Sequence, residues 1–106
     1  MAWRRPARAR KKPDALIVGI AWYDAVQWAK LKLIAPDADK LDDSYEDWLK
    51  QAEDLEWQLR REGMDIRRVA IDIEALEAWC HSRQRPIDGE SRSKYTAELA
   101  SRPQQQ

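Results

Sequence analysis

One continuous apolar run, residues 15–22, constrains the fold of this chain more than any other feature. The run reads ALIVGIAW and contains the β-branched residues Ile17, Val18 and Ile20. It is far shorter than the roughly 20 apolar residues of a membrane span, and it suits a strand covered on both faces. Asp14 adjoins the run and no clean cleavage pattern follows it, which disfavours a signal peptide. We therefore expect a buried strand of the parallel-sheet type.

Helix-start signals follow the apolar run directly. Asp24 is a predicted N-cap, with Gln27 three residues later as in a capping box. Tyr23 and Trp28 hold the two positions of a hydrophobic staple. Pro36 then ends the first helix, because proline cannot continue the helical hydrogen bonds.

The second predicted helix begins at Asp43 or Ser44 and ends before Gly63. Its predicted buried stripe consists of Tyr45, Trp48, Leu49, Ala52, Leu55 and Leu59. Trp57 lies roughly 140° from the centre of that stripe, on the charged side of the helix. Either another helix covers Trp57, which is the favoured interpretation, or Trp57 is an exposed anchor for a partner.

The second half of the chain repeats the order of strand, helix, helix. Residues 65–71 predict a second strand, and its arginines indicate a partly exposed or edge strand. Asp72 caps a third helix that Pro86 ends, and Asp88 starts a fourth. The predicted buried residues of these helices are Ile73, Leu76, Cys80, Tyr95 and Leu99.

The predicted fold is therefore a small, helix-rich α/β domain of order β-α-α-β-α-α, with a short parallel sheet flanked by helices. A two-stranded sheet is a thin platform for a domain. Either a further strand exists, or the helices carry most of the core, or a second copy extends the sheet. The predicted domain covers residues 14–102, between a disordered arm (residues 1–13) and a loose tail (residues 103–106).

The arm and the domain differ in charge. The arm carries six basic and no acidic residues, so the rest of this electrically neutral chain sums to −6. A basic tract can bind nucleic acid by neutralising phosphates, and a tryptophan can stack on a base. The residues of this alternative function are Trp3, Arg4, Arg5, Arg8, Arg10, Lys11 and Lys12. No recognised nucleic-acid module follows the arm, so a solvated tail is favoured.

Carboxylates follow both predicted strands, where ligands collect in open parallel sheets. The candidate rim consists of Trp22, Tyr23, Asp24, Asp72 and Glu74. Two or three carboxylates there could bind a divalent cation or divide acid and base roles in a small enzyme. Helix capping explains the same residues and is the favoured interpretation.

The only cysteine and the only histidine, Cys80 and His81, are adjacent. Neighbouring residues on a helix point about 100° apart, so this pair does not form a nucleophile and its base. Structural zinc needs about four nitrogen or sulfur ligands. We therefore predict no catalytic residue, no metal site and no cofactor, and we expect Cys80 to be a packing residue.

Four short segments carry a resemblance to a known group: IAWY at residues 20–23, SYEDWL at 44–49, AWC at 78–80 and PIDG at 86–89. Over residues 22–92 the chain resembles small bacterial proteins of unassigned function. The resemblance implies a bacterial, cytosolic protein and no particular chemistry.

The sequence has few residues of the types that act in catalysis, and some of its aromatic residues are candidates for exposure. Together these features predict a non-catalytic protein–protein interaction domain. We expect self-association as a homodimer or binding to another protein, a cytoplasmic location and no membrane partner. An enzyme is disfavoured, and nucleic-acid binding through the arm is the alternative.

Overall fold

The computed structural model describes residues 17–102 and contains the predicted elements in the predicted order. Strands β1 (Ile17–Trp22) and β2 (Asp65–Ala70) pair in parallel, with Ile17 opposite Asp65 and Trp22 opposite Ala70. The helices are α1 (Ala25–Ile34), α2 (Tyr45–Arg61), α3 (Ile73–Ser82) and α4 (Gly89–Ser101). A 3-10 turn, Ala38–Lys40, lies between α1 and α2. The helix-rich α/β class is thus confirmed, while the predicted arm and tail lie outside the described residues.

Side-chain caps begin the helices where the sequence predicts them. The Asp24 carboxylate accepts a hydrogen bond from the Gln27 N–H at 2.8 Å and starts α1. Of the two candidates for α2, Ser44 is the cap, since its hydroxyl accepts from the Asp47 N–H at 3.0 Å. Gly63 follows α2 with a φ of 91°, a conformation that glycine adopts without steric cost.

The sheet lies between α4 and α2. A side chain at Gly19 would meet the Ala100 Cβ at 2.6 Å, so glycine is what lets α4 approach β1 so closely. On the opposite face, Trp22 packs edge-on against Trp48 of α2 with ring centroids 5.5 Å apart. The expectation that β1 is fully covered is wrong: its residues are half-buried and Ile17 is 41% exposed, because the sheet has no third strand within residues 17–102.

The hydrophobic core lies beyond the carboxyl ends of the strands. Its buried members are Tyr23, Trp28, Leu31, Ala35, Ile71, Ile73, Leu76, Cys80 and Tyr95. Six of these lie within α1, α3 and α4, and none lies within a strand. The helices therefore carry most of the core, which is one of the three solutions expected for such a thin sheet.

Two local predictions are corrected by the structure. Leu55 is 45% exposed, although the predicted buried stripe of α2 includes it, and Glu56 is buried instead. The helix turns Glu56 toward the sheet because this carboxylate binds Arg68 of β2. The helix α3 ends at Ser82, before Pro86, and Gln84 takes a positive φ of 55° in the turn that follows.

Candidate interaction surface

The predicted rim at the strand ends is a junction between two helix N-termini. Asp24 caps α1, and the Asp72 carboxylate accepts from the Glu74 N–H at 3.3 Å at the start of α3. The Gln27 side chain joins the two ends, because its carbonyl oxygen accepts from the Ile73 N–H at 2.7 Å. The two aspartates thus satisfy backbone donors that a helix start leaves unpaired.

The other rim residues are also engaged in packing or pairing. Glu74 forms an exposed ion pair with Lys30, with the charged atoms 3.6 Å apart. Tyr23 is buried, and its backbone carbonyl accepts from the Tyr45 hydroxyl at 2.9 Å. Within residues 17–102, no three histidine, cysteine or acidic side chains come together in an arrangement that could hold a metal ion.

Aromatic rings pack together where α1, α2 and the end of β1 meet. Trp48 lies at the centre of this cluster, stacked on Trp28 and on Tyr45 with centroid distances of 5.4 and 5.6 Å. Its ring also meets those of Trp22 and Tyr23 edge-on. Aromatic pairs of this geometry stabilise a core beyond the area that they bury, so Trp22 and Tyr23 act here in packing.

A buried carboxylate on α2 holds the helix to β2, and the sequence pattern gave no sign of it. Glu56 accepts two hydrogen bonds from the Arg68 guanidinium, at 2.8 and 3.0 Å, and a third from Arg60 at 3.2 Å. These bonds, above all those from Arg68, hold the pKa of Glu56 below its ordinary value although burial opposes them. Arg68 also stacks over the Trp22 ring at 3.9 Å.

A second ion pair joins the 3-10 turn to α4. The Arg92 guanidinium donates to both carboxylate oxygens of Asp37 at 2.9 Å and to the Ile87 carbonyl at 3.0 Å. The hydrogen bonds from Arg92 lower the pKa of Asp37. Because Arg92 binds both Asp37 and a backbone carbonyl, we read this pair as a structural clamp between segments far apart in the chain.

Cys80 is a buried packing residue, as the sequence predicts. Its side chain lies in the core, and burial raises the pKa of its thiol. His81 is exposed on the adjacent helical position. A buried thiol with a raised pKa is a poor nucleophile, since the thiolate is the reactive form.

Trp57 is exposed, so the favoured expectation of intramolecular packing is wrong. The ring is 63% accessible, and the Arg61 guanidinium stacks over it at 4.6 Å from the centroid. One face of α2 carries an open surface, which we call the Trp57 surface, formed by Asp54, Trp57, Gln58, Arg61 and Glu62. It lies on the side of α2 that faces away from the sheet.

No helix within residues 17–102 combines the length and the apolar content needed to cross a bilayer. The candidate nucleic-acid residues, Trp3 to Lys12, lie outside the described part of the chain. No family model, curated protein or solved structure matches the sequence.

Proposed function

We propose that this chain is a non-catalytic protein–protein interaction domain that forms a homodimer through the Trp57 surface. The observation that carries the proposal is the 63% exposure of Trp57 on a helix whose opposite side already packs on the sheet. Tryptophan is enriched among the residues that dominate binding energy, where it fills the centre of an interface. Burying this ring against a second copy removes a large apolar surface from water.

The charges beside Trp57 favour a second copy as the partner. Asp54 lies about one turn before Trp57, and Arg61 lies about one turn after it. If two copies of α2 pack antiparallel about a two-fold axis at residues 57 and 58, each Asp54 opposes Arg61 of the other copy. The face is thus self-complementary, as an isologous interface requires.

The non-catalytic character is supported by the uses that the reactive side chains already have. Asp24 and Asp72 bind helix N-termini, and Cys80 is enclosed in the core. A single buried cysteine also suits a reducing compartment, so we propose a cytoplasmic location.

Sedimentation of the full chain at micromolar concentration tests the proposal. We expect a particle of about twice the 12.5 kDa chain mass for the natural sequence and for Leu33→Ala. Leu33 is the matched control, because it is 85% exposed on α1 and lies outside the Trp57 surface. Trp57→Ala should sediment as a monomer with its far-UV circular dichroism unchanged. A monomeric natural chain, or a dimeric Trp57→Ala variant, contradicts the proposal.

A further inference from the structure

The outer edge of β1, on the side away from β2, carries backbone groups without a partner in residues 17–102. The Trp22 carbonyl accepts from the Ile71 N–H at 3.1 Å, so the backbone groups of Trp22 point toward β2. Because these groups alternate in direction along a strand, those of Ile17, Gly19 and Ala21 point outward. No hydrogen bond from the described residues reaches these outward N–H and C=O groups.

The outer edge of β2 is protected in a way that β1 is not. The Arg60 guanidinium donates to the outward carbonyl of Ile66 at 3.1 Å. Asp65, Arg67 and Arg68 place charges along β2, whereas β1 contains no charged residue. Charged side chains discourage the pairing of an edge strand with another chain. Of the two edges, β1 is therefore the one built to accept a further strand.

An aromatic cleft of about 350 Å³ lies beside this edge, between α4 on one face and Trp48 of α2 on the other. Ile20 and Ala21 border it, and Tyr23, Trp28 and Trp48 contribute its aromatic walls. Side chains of a strand alternate between the two faces of a sheet. Every second side chain of an added strand would point toward α4 and into this cleft, whose aromatic walls favour apolar groups.

A second cleft, of about 380 Å³, lies on the face covered by α2 and is also bordered by Ile20 and Ala21. Asp42 and Gln51 line it together with Leu55, and the Asp42 carboxylate accepts from the Gln51 amide at 2.8 Å. Asp42 is the carboxylate that lines this cleft, and the segment that supplies it, residues 37–54, holds eight acidic and two basic residues. Charge complementarity therefore favours basic side chains on this face of an added strand.

A second copy of this domain, paired through β1, is disfavoured at the edge. Pairing β1 with its own copy about a two-fold axis at Gly19 would place the two strands about 4.8 Å apart. The Ala100 Cβ, in the last turn of α4, lies 2.6 Å from a Cβ built on Gly19, and the axis would place the same helix end of the second copy on the same face. Packed helices need axes about 8–10 Å apart, so this spacing disfavours pairing through Gly19.

We infer that the outer edge of β1 is a strand-addition site for an extended segment of another protein. That segment bears apolar side chains on one face and basic side chains on the other. Outward backbone groups of β1 supply the hydrogen bonds, and the two clefts select the alternating side chains. This site is separate from the Trp57 surface, so the inference does not rest on the proposed homodimer.

The probe for this site is a synthetic peptide of four Val-Lys repeats that carries a fluorescein label. Fluorescence anisotropy measures its binding to the full chain. The matched peptide of four Val-Glu repeats should bind at least tenfold more weakly. Ala21→Pro removes an outward N–H without touching the hydrogen bonds to β2 and should weaken Val-Lys binding at least tenfold, whereas Ala21→Ser should not.

Ile17→Lys provides a second blocking variant that keeps every backbone N–H. The added charge at this exposed edge position should weaken binding of the Val-Lys peptide at least fivefold. Val26→Lys is its matched control, because Val26 is exposed on α1 and lies outside both clefts. Trp57→Ala should bind the peptide like the natural chain, so that failure of one proposal is distinguishable from failure of the other.

Four results would overturn the inference. The first is equal affinity for the Val-Lys and Val-Glu peptides, and the second is equal binding by folded Ala21→Pro and Ala21→Ser. The third is peptide binding that appears only after deletion of residues 1–13, since the basic arm of this chain would then be the occupant. A dimer that Ala21→Pro dissociates would instead assign the edge to a second copy and would equally overturn it.

Discussion

The two ends of α2 use tryptophan in opposite ways. Near its start, Trp48 stacks on Trp28 and Tyr45 and meets Trp22 and Tyr23 edge-on. Near its end, Trp57 meets solvent, with the Arg61 guanidinium stacked over its ring. A residue inside a packed cluster contributes to folding, whereas the exposed residue is free to contribute to association. The comparison teaches that residue type alone does not separate a core from an interface.

The largest expected effect is on folding stability at the start of the helix. Trp48→Ala removes a ring that contacts four aromatic neighbours and should lower the free energy of unfolding by about 3–5 kcal/mol. Trp57→Ala should change it by no more than about 0.5 kcal/mol when the protein is dilute and monomeric. Urea unfolding followed by circular dichroism measures both, and similar losses for the two variants would erase the distinction between the two ends.

A smaller effect is expected between the two tryptophans, at Glu56. Glu56→Gln should lower the free energy of unfolding by about 1–2 kcal/mol at neutral pH, because it weakens the hydrogen bonds from Arg68. The effect is modest because solvent partly screens the Arg68 charge. The pKa of Glu56 is lowered by folding, so its stabilising contribution is present above the unfolded value of about 4.3. That contribution is lost as the pH falls through the folded pKa.

Urea unfolding at several pH values measures this dependence. The difference in stability between the natural chain and Glu56→Gln should be constant near neutral pH and should shrink below about pH 4. A difference that stays the same down to pH 2 would show that the charge of Glu56 does not hold α2 to the sheet. Lys50→Gln, an exposed change on the same helix, is the control.

Local signals in the sequence predicted most of the fold. Asp24 and Ser44 cap helices three residues before their partners, and Gly63 ends α2, because each signal acts within one helical turn. The Tyr23–Trp28 staple is likewise local, with its ring centroids 6.0 Å apart. The element order and the parallel pairing follow from these boundaries.

Longer-range pairs were beyond the reach of the pattern. Helical spacing predicts Leu55 in the buried stripe, but the bond between Glu56 and Arg68, twelve residues apart, turns α2 so that the carboxylate is buried. Asp37 and Arg92 are separated by 55 positions, and no periodicity connects them. In the candidate surface, the sequence placed Trp57 on the charged side of α2. It did not determine whether another helix covers the ring, because that contact depends on the tertiary fold.

Exchange of the two charges beside Trp57 tests the proposed homodimer most directly. Asp54→Lys alone and Arg61→Glu alone each oppose like charges across the two-fold axis, so each variant should sediment as a monomer. In an equimolar mixture of the two variants, both pairs across the axis become attractive, and a particle of about twice the 12.5 kDa chain mass should reappear. A mixture that stays monomeric, or single variants that remain dimers, would contradict antiparallel pairing through this face.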